Sequence, residues 1–171
     1  PKIKAAVRTA LDHGITLGGP TEQEAVLADL LTERFPALDL VRFTNSGTEA
    51  NLLALQTARA VTGKTDLMAF EGSYHGSVLS FGPYGREAAM YVQASRLKAA
   101  VVLEPMAGSG GCIPATPEFL TMLRELTTEL GIILIFDEVM TSRLGPAGYQ
   151  GVSGVTPDMM TMGKYLGGGL T

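Results

Sequence analysis

Apolar residues recur with helical spacing in some parts of the chain and form nearly unbroken runs in others. The helical spacing predicts helices over 2–13, 21–35, 46–63 and 116–130. The unbroken runs predict buried strands at 41–44, 67–70, 99–103, 132–136 and 159–162. Fully apolar strands separated by amphipathic helices are typical of an α/β fold, in which a mostly parallel sheet is flanked by helices.

The predicted helices carry recognisable start and stop signals. Thr21–Glu24 and Ser46–Glu49 both have the capping-box pattern, in which a hydroxyl and a glutamate each accept a hydrogen bond from the other residue's backbone N–H. Pro117 suits the first position of a helix that Gly131 would end. We expect two apolar helix faces to pack on the sheet, formed by Leu27, Leu30 and Leu31 and by Phe119, Met122, Leu123, Leu126 and Leu130.

Polar or glycine-rich residues follow nearly every predicted strand. These segments are Asn45–Thr48, Glu71–Gly76, Glu104–Pro105, Asp137–Val139 and Gly163–Lys164. In open parallel sheets, ligands bind beyond the carboxyl ends of the strands. The convergence of these segments on one edge therefore predicts a ligand site there.

Composition narrows the classes of function. The 171 residues are 46% hydrophobic and 18% charged, which predicts a folded domain and excludes intrinsic disorder. A net charge of -4 argues against nucleic-acid binding, and no apolar run is long enough to cross a bilayer. A single cysteine and no visible signal peptide favour a cytoplasmic protein. The 21 glycines cluster in loops, where backbone can approach a ligand closely.

Three groups at the predicted sheet edge suggest a chemistry. Ser46, Gly47 and Thr48 lie at a helix N-terminus, where free backbone N–H groups attract phosphate. Asp137 ends an apolar strand, so its buried carboxylate needs a cationic or hydrogen-bonding partner. Lys164 carries an amine that can form a Schiff base with a carbonyl. Taken singly, each has an ordinary alternative: an empty helix cap, a structural ion pair or a solvated lysine.

Together these groups match one cofactor. Tyr74 adds a flat ring for stacking, and the neighbouring His75 either lines the cofactor or holds the loop. Pyridoxal phosphate has a phosphate, a planar ring, a ring nitrogen and an aldehyde, which match the four groups. The sequence therefore predicts pyridoxal 5'-phosphate as the cofactor.

Other ligand sites are disfavoured by their spacing. The segment ending in Gly63–Thr65 resembles a P-loop, but Ala58 stands where the first glycine is required. The glycines at 145, 148 and 151 do not have the dinucleotide-binding spacing, which leaves a nucleotide-binding module as a weak alternative. Two histidines and one cysteine offer too few ligands for a typical zinc site, so no metal is expected.

Six segments along the chain form an ordered set of motifs: Arg42–Asn51, Tyr74–Gly76, Glu104–Pro105, Asp137–Thr141, Thr156–Lys164 and Gly167–Gly169. They resemble the motifs of class III aminotransferases, which have the fold type I architecture, and they occur in the family's order. Within the class, the chain resembles glutamate-1-semialdehyde aminomutases and β-amino-acid aminotransferases. The segments His75–Leu79 and Gly108–Pro114 favour the second group.

The resemblance implies roles for the residues that touch the ring. Lys164 would bind the cofactor and shuttle the proton, and Asp137 would pair with the ring nitrogen. Tyr74 would cover one face of the ring and Val139 the other, beside His75. These roles imply a transaminase that moves an amino group between an amino acid, with β-amino acids among the candidates, and a keto acid or aldehyde.

The resemblance also implies the surroundings of the cofactor. Ser46, Gly47 and Thr48 would hold its phosphate, and Glu104 would support the region of the aspartate. Ser109 occupies a place near the ring where the aminomutases carry asparagine, which weakens the assignment as an aminomutase. The resemblance further implies a homodimer, in which the partner contributes to the phosphate pocket.

Members of the family are well over twice as long as this chain. We therefore expect residues 1–171 to be the core of the large cofactor-binding domain, without the N-terminal segment and the C-terminal small domain. The segment Ser80–Tyr84 is interpreted as a join across a missing piece. An aminomutase, or an inactive fragment that serves as a binding or structural module, remain alternatives to the transaminase.

Overall fold

The computed structural model describes residues 2–14, 17–35, 37–70, 72–77 and 98–168. The helices of this part are α1 Lys2–Leu11, α2 Glu22–Arg34, α3 Gly47–Thr62, α4 Pro117–Leu130 and α5 Gly148–Ser153. The strands are β1 Asp66–Met68, β2 Lys98–Leu103, β3 Met106–Ala107, β4 Ile113–Pro114, β5 Ile133–Asp137 and β6 Met159–Thr161. Short 3-10 turns cover Thr141–Arg143 and Lys164–Gly167. None of the helices described is both long and apolar enough to span a bilayer.

Four of the strands form a parallel sheet in the order β1-β2-β5-β6. The two most apolar strands, β2 and β5, lie at its centre, where Ala100–Leu103 pairs with Ile133–Phe136. The prediction of an α/β fold with a mostly parallel sheet and flanking helices is confirmed. A separate antiparallel pair, β3 and β4, was not predicted.

Both faces of the sheet are covered, because successive strand residues point to opposite sides. Val101 and Leu103 face a core cluster that includes Leu120 and Leu123 of α4. The other cluster joins α3 to the opposite face, and its buried members are Leu55, Ala58, Ala100, Val102 and Ile135. Burial on both faces explains why these strands are apolar throughout rather than alternating.

The helix caps follow the local sequence, with one difference. At α2 the full capping box forms, since Thr21 Oγ1 accepts from the Glu24 N–H and the Glu24 carboxylate accepts from the Thr21 N–H. At α3 the Ser46 hydroxyl accepts from the Glu49 N–H, but the Glu49 carboxylate accepts from the Asn45 N–H at 2.8 Å. The second capping box is therefore only half formed.

The segment 41–44, which we expected to be a strand, has no regular secondary structure. A short extended run becomes a strand only where a sheet edge offers backbone partners, and nothing in the local sequence reveals that edge. The expected join at Ser80–Tyr84 lies outside the described residues.

The two expected helix faces are rotated or incomplete. Leu31 of α2 is buried, whereas Leu27 and Leu30 are exposed. On α4, Leu120 replaces the expected Met122 in the core, and the Met122 side chain is 49% exposed. The spacing of apolar residues on these helices left more than one possible face, and contact with the sheet decided between them.

Candidate functional site

A cleft of about 420 Å³ opens where the carboxyl ends of the parallel strands meet the N-terminus of α3. Its lining consists of Gly47, Thr48, Asn51, Tyr74, His75, Gly76, Glu104, Gly108, Ser109, Asp137, Val139, Met140, Gly163 and Lys164. Every site residue predicted from the sequence is among them except Ser46, whose hydroxyl caps α3. The sheet edge thus gathers residues that lie far apart along the chain.

Asp137, at the end of β5, is the buried acid of the cleft and is only 3% exposed. Its Oδ2 atom accepts a hydrogen bond from Asn51 Nδ2 at 2.8 Å and lies 2.8 Å from His75 Nδ1. Its Oδ1 atom accepts from the Val139 backbone N–H at 3.2 Å. A buried carboxylate is tolerated only when hydrogen bonds replace its hydration, and these three groups do so.

Asn51 is a cleft residue to which the sequence interpretation gave no role. It is buried on α3, donates a second hydrogen bond to the His75 carbonyl, and accepts one from the Thr161 hydroxyl at 3.0 Å. Its spacing to Leu55 and Ala58 places it on the buried stripe of the helix. A polar residue on an otherwise apolar stripe was the sequence signal that could have identified it.

Glu104 joins two walls of the cleft. One carboxylate oxygen accepts from the Tyr74 backbone N–H at 2.9 Å, and the other accepts from the Gly108 N–H at 3.3 Å. It therefore holds the loop 72–77 against the segment that follows β3. A Cβ atom at Gly108 would lie 2.7 Å from Met140 Sδ, so the Met140 side chain would have to shift to accommodate any other residue there.

The loop 72–77 also closes onto the start of α3. Gly76 has a φ of +106°, and a Cβ atom at this position would lie 2.8 Å from the Thr48 Cα atom. Only glycine combines this backbone conformation with so close an approach. The contact keeps Gly47 and Thr48, with the positive end of the helix dipole, at the wall of the cleft.

The remaining predicted residues lie on the floor and rim of the cleft. Val139 lies between Gly47 and Gly163, where a Cβ atom on either glycine would lie 3.4–3.5 Å from its methyl groups. Tyr74, Ser109 and Lys164 are exposed at the rim. The Lys164 backbone is left-handed, with a φ of +53°.

Glu138, next to Asp137, is fully buried outside the cleft lining and was not singled out from the sequence. Burial raises the pKa of its carboxyl, and this effect outweighs hydrogen bonds from the Tyr149 and Gln150 backbone N–H groups and the Thr141 hydroxyl. Gly148 leaves space for it, since a Cβ atom there would lie 2.7 Å from Glu138 Oε2. Glu138 thus ties the end of β5 to α5.

The chain belongs to the class III aminotransferase family, whose sequence pattern matches residues 1–82 and 85–171. It is 45% identical to a β-phenylalanine transaminase of Variovorax paradoxus, over 100% of the chain and 44% of that protein. It is 40% identical to a glutamate-1-semialdehyde 2,1-aminomutase of Dichelobacter nodosus, over 99% of the chain and 48% of that protein. The chain spans about half the length of the curated relatives it matches.

Solved structures of transaminases share the fold. An ω-transaminase from Sphaerobacter thermophilus superposes with a TM-score of 0.90 at 40% identity, over 99% of this chain and 48% of that one. A transaminase with bound pyridoxal phosphate gives a TM-score of 0.89 at 28% identity, over 99% and 47%. The expected family resemblance is confirmed, and so is the fold type I architecture.

Class III aminotransferases use pyridoxal phosphate, and the residues of the cleft fit this group. The volume of about 420 Å³ lies within the range of small-molecule sites. The donor set contains a helix N-terminus for a phosphate, a buried carboxylate for a protonated ring nitrogen and an amine for a carbonyl.

Proposed function

We propose that the chain is the cofactor-binding part, over residues 1–171, of a pyridoxal-phosphate-dependent aminotransferase. The enzyme moves an amino group between an amino acid and a keto acid or aldehyde. One observation carries the proposal: Asp137, Lys164 and the N-terminus of α3 line the same cleft, although they come from three distant parts of the chain.

When bound, pyridoxal phosphate supplies a carbonyl carbon that binds amines and a ring that takes up electrons from the substrate. Asp137 stabilises the proton on the ring nitrogen through its carboxylate. Asn51 and His75 orient that carboxylate, since both contact its Oδ2 atom. Tyr74 and Val139 would cover the two faces of the ring, and Ser109 would lie near it.

Lys164 has two tasks in this proposal. Its Nζ atom would hold the cofactor covalently through the cofactor's carbonyl carbon. Once released by the amino group of the substrate, the same Nζ atom would take a proton from the substrate carbon that bears this group and deliver it during the transfer. Its position at the rim of the cleft supports both tasks.

The phosphate is assigned to the start of α3. Gly47 and Thr48 present backbone N–H groups and a hydroxyl there, and Ser46 supports them by capping the helix. Glu104 has an indirect role, because its carboxylate binds the backbone N–H groups of Tyr74 and Gly108 rather than the ligand.

We also propose that the enzyme is a cytoplasmic homodimer. The helix α1 has no buried residue, and Ile3, Val7 and Leu11 form an exposed apolar stripe along it. An apolar stripe of this kind is stabilised when a second subunit covers it. The exposed single cysteine supports a reducing compartment.

The direct test of the function adds pyridoxal phosphate to the purified protein. We expect a yellow absorption band and, after borohydride reduction, the cofactor attached to the Lys164 peptide by mass spectrometry. Lys164→Ala should abolish both signals. Lys98→Ala is the matched control, because Lys98 lies at the opposite end of β2, where it pairs with Asp66. A wild-type protein without band and attachment would contradict the proposal and leave a binding or structural module.

The substrate class needs a separate experiment. The 45% identity to the β-phenylalanine transaminase of Variovorax paradoxus supports a β-amino acid as the amino donor of this enzyme. The 40% identity to the glutamate-1-semialdehyde 2,1-aminomutase of Dichelobacter nodosus supports an intramolecular 2,1-amino shift as the second candidate reaction. The donor carries the label on its amino nitrogen and is mixed with an external keto acid. Label in the newly formed amino acid supports the transferase, and label retained in the donor's own carbon skeleton supports the aminomutase.

A further inference from the structure

The backbone of Lys164 adopts a conformation that lysine avoids. Its φ of +53° lies in the left-handed region, and Cys112 is the other described residue apart from glycine with a positive φ. In this region the Cβ atom crowds the following carbonyl oxygen. Such a conformation persists only where the surrounding structure imposes it. The Lys164 side chain is exposed, so the restraint has to come from its neighbours along the chain.

The next residue, Tyr165, is held from three sides. Its hydroxyl donates a hydrogen bond to the Ser142 carbonyl at 3.1 Å. The guanidinium carbons of Arg34 and Arg143 lie 5.5 Å and 5.0 Å from the centre of its ring. Both distances allow an attraction between the cation and the negative face of the ring. We call Arg34, Ser142, Arg143 and Tyr165 the tyrosine clamp.

One of the two arginines of the clamp, Arg34, is itself held by hydrogen bonds. Arg34 Nε donates to the Pro146 carbonyl at 3.0 Å, and one of its terminal nitrogens donates to the Ser142 carbonyl at 3.2 Å. The planar guanidinium makes both bonds in one orientation. Ser142 is completely buried, so its carbonyl cannot bind water instead. The clamp therefore joins α2 to the segment that follows Glu138.

The chain on both sides of Lys164 is restrained as well. Before it, Thr161 of β6 pairs with Asp137 of β5. After it, the Gly168 N–H donates to the Tyr165 carbonyl at 2.9 Å and closes the turn. Lys164 thus lies between the end of β6 and the Tyr165 ring, both of which are held in place.

We propose that Tyr165 is a positioning residue, which fixes the left-handed backbone of Lys164 through the clamp and so directs the lysine amine into the cleft. This inference rests on the proposed function. Covalent binding needs the amine in one geometry, and its rate falls in proportion to the time spent outside that geometry.

Two forms of the cofactor separate positioning from binding. Pyridoxamine phosphate has no aldehyde, so its dissociation constant reports the pocket without a bond to Lys164. With pyridoxal phosphate, Lys164 Nζ replaces the aldehyde oxygen, one water leaves, and borohydride adds hydride to make the bond permanent. Timed quenching and mass spectrometry of the Lys164 peptide then give the rate of capture.

Two substitutions grade the loss of the clamp. Tyr165→Leu removes the hydrogen bond and both ring contacts, so we expect capture to slow about tenfold or more. Tyr165→Phe removes only the hydrogen bond, and we expect a slowing of about threefold. The dissociation constant of pyridoxamine phosphate should remain within about twofold in both variants. Tyr149 packs against the core, outside the clamp. Tyr149→Phe is therefore the control, and its rate of capture should equal that of the wild type.

A cofactor-free measurement keeps the test decisive. The three-bond coupling between the amide and α protons of Lys164 reports its φ directly, and Tyr165→Leu should change it. The inference would be overturned if Tyr165→Leu captured the cofactor at the wild-type rate or left the coupling unchanged. It would also be overturned if Tyr165→Phe lost as much affinity for pyridoxamine phosphate as it lost in the rate of capture. If the wild type binds neither cofactor form, the proposed function fails, and the coupling still decides whether Tyr165 sets the backbone of Lys164.

Discussion

Asn51 shows how a single amide can connect two elements to the acid of the cleft. Its Nδ2 donates to Asp137, and its Oδ1 accepts from the Thr161 hydroxyl. Asn51→Ala leaves both buried partners without this bond, so we expect the free energy of unfolding to fall by about 1–3 kcal/mol. Urea denaturation measures the loss. Gln56→Ala, on the exposed side of the same helix, should change it by less than about 0.5 kcal/mol. Equal effects at the two positions would contradict this role.

Glu138 makes stability depend on pH with a definite sign. Burial raises the pKa of its carboxyl in the folded state, so the folded protein holds the proton more tightly than the unfolded chain. Stability from this group is complete below the ordinary pKa of a glutamate and is lost as pH rises through the raised folded value. Glu138→Gln cannot titrate.

The stability advantage of the wild type over Glu138→Gln should therefore shrink as the pH rises from below to well above 4.5, the ordinary pKa of a glutamate. Urea denaturation of both proteins across this range measures the difference. Glu125→Gln, at an exposed position of α4, is the matched control for the substitution itself. An advantage that grows with pH would contradict the raised pKa.

At the scale of elements, the loop 72–77 offers a test of close packing against α3. Gly72 and Gly76 both have positive φ, but a Cβ atom has open space at Gly72 and meets the Thr48 backbone at Gly76. Both changes to alanine carry backbone strain of about 1–2 kcal/mol. Gly76→Ala should lose further stability and pyridoxal phosphate affinity, measured by urea denaturation and absorption titration. Equal losses in the two variants would show that strain alone matters.

Elements whose signals are local were predicted well. Thr21 and Glu24 form their capping box because both partners lie within one helical turn. The segment 41–44 was wrongly predicted as a strand, because strand formation needs a partner distant in sequence. For the same reason Met122 was assigned to a core that Leu120 occupies, since contact with the sheet chooses the buried face of α4.

At the scale of the whole molecule, α1 is the test of the proposed dimer. A glutamate in place of Val7 would put a charge on the apolar stripe, and burying that charge in an interface is costly. Val7→Glu should therefore shift the protein towards monomer in sedimentation experiments. Thr9→Glu adds the same charge about half a turn away on α1 and should leave the mass unchanged. A dimer unaffected by Val7→Glu would exclude this helix from the interface.

The sequence by itself determined which residues stand at the edge of the sheet. Apolar runs located β2 and β5, and the place directly after each run identified Glu104 and Asp137 as polar groups of that edge. This was possible because strand length and side-chain alternation are local properties of the chain. The pairing of these strands then carries their carboxyl ends to one side.

Only the tertiary structure decided which side chains meet there. Asn51 and Asp137 are 86 residues apart, and Glu104 reaches the Tyr74 backbone across 30 residues. The same applies to Arg34 and Tyr165, whose contact no local pattern reveals. A hydrogen bond needs its donor and acceptor within about 3 Å of each other. Between residues remote in sequence, only the packing of α2 and α3 against the rest of the fold sets such distances.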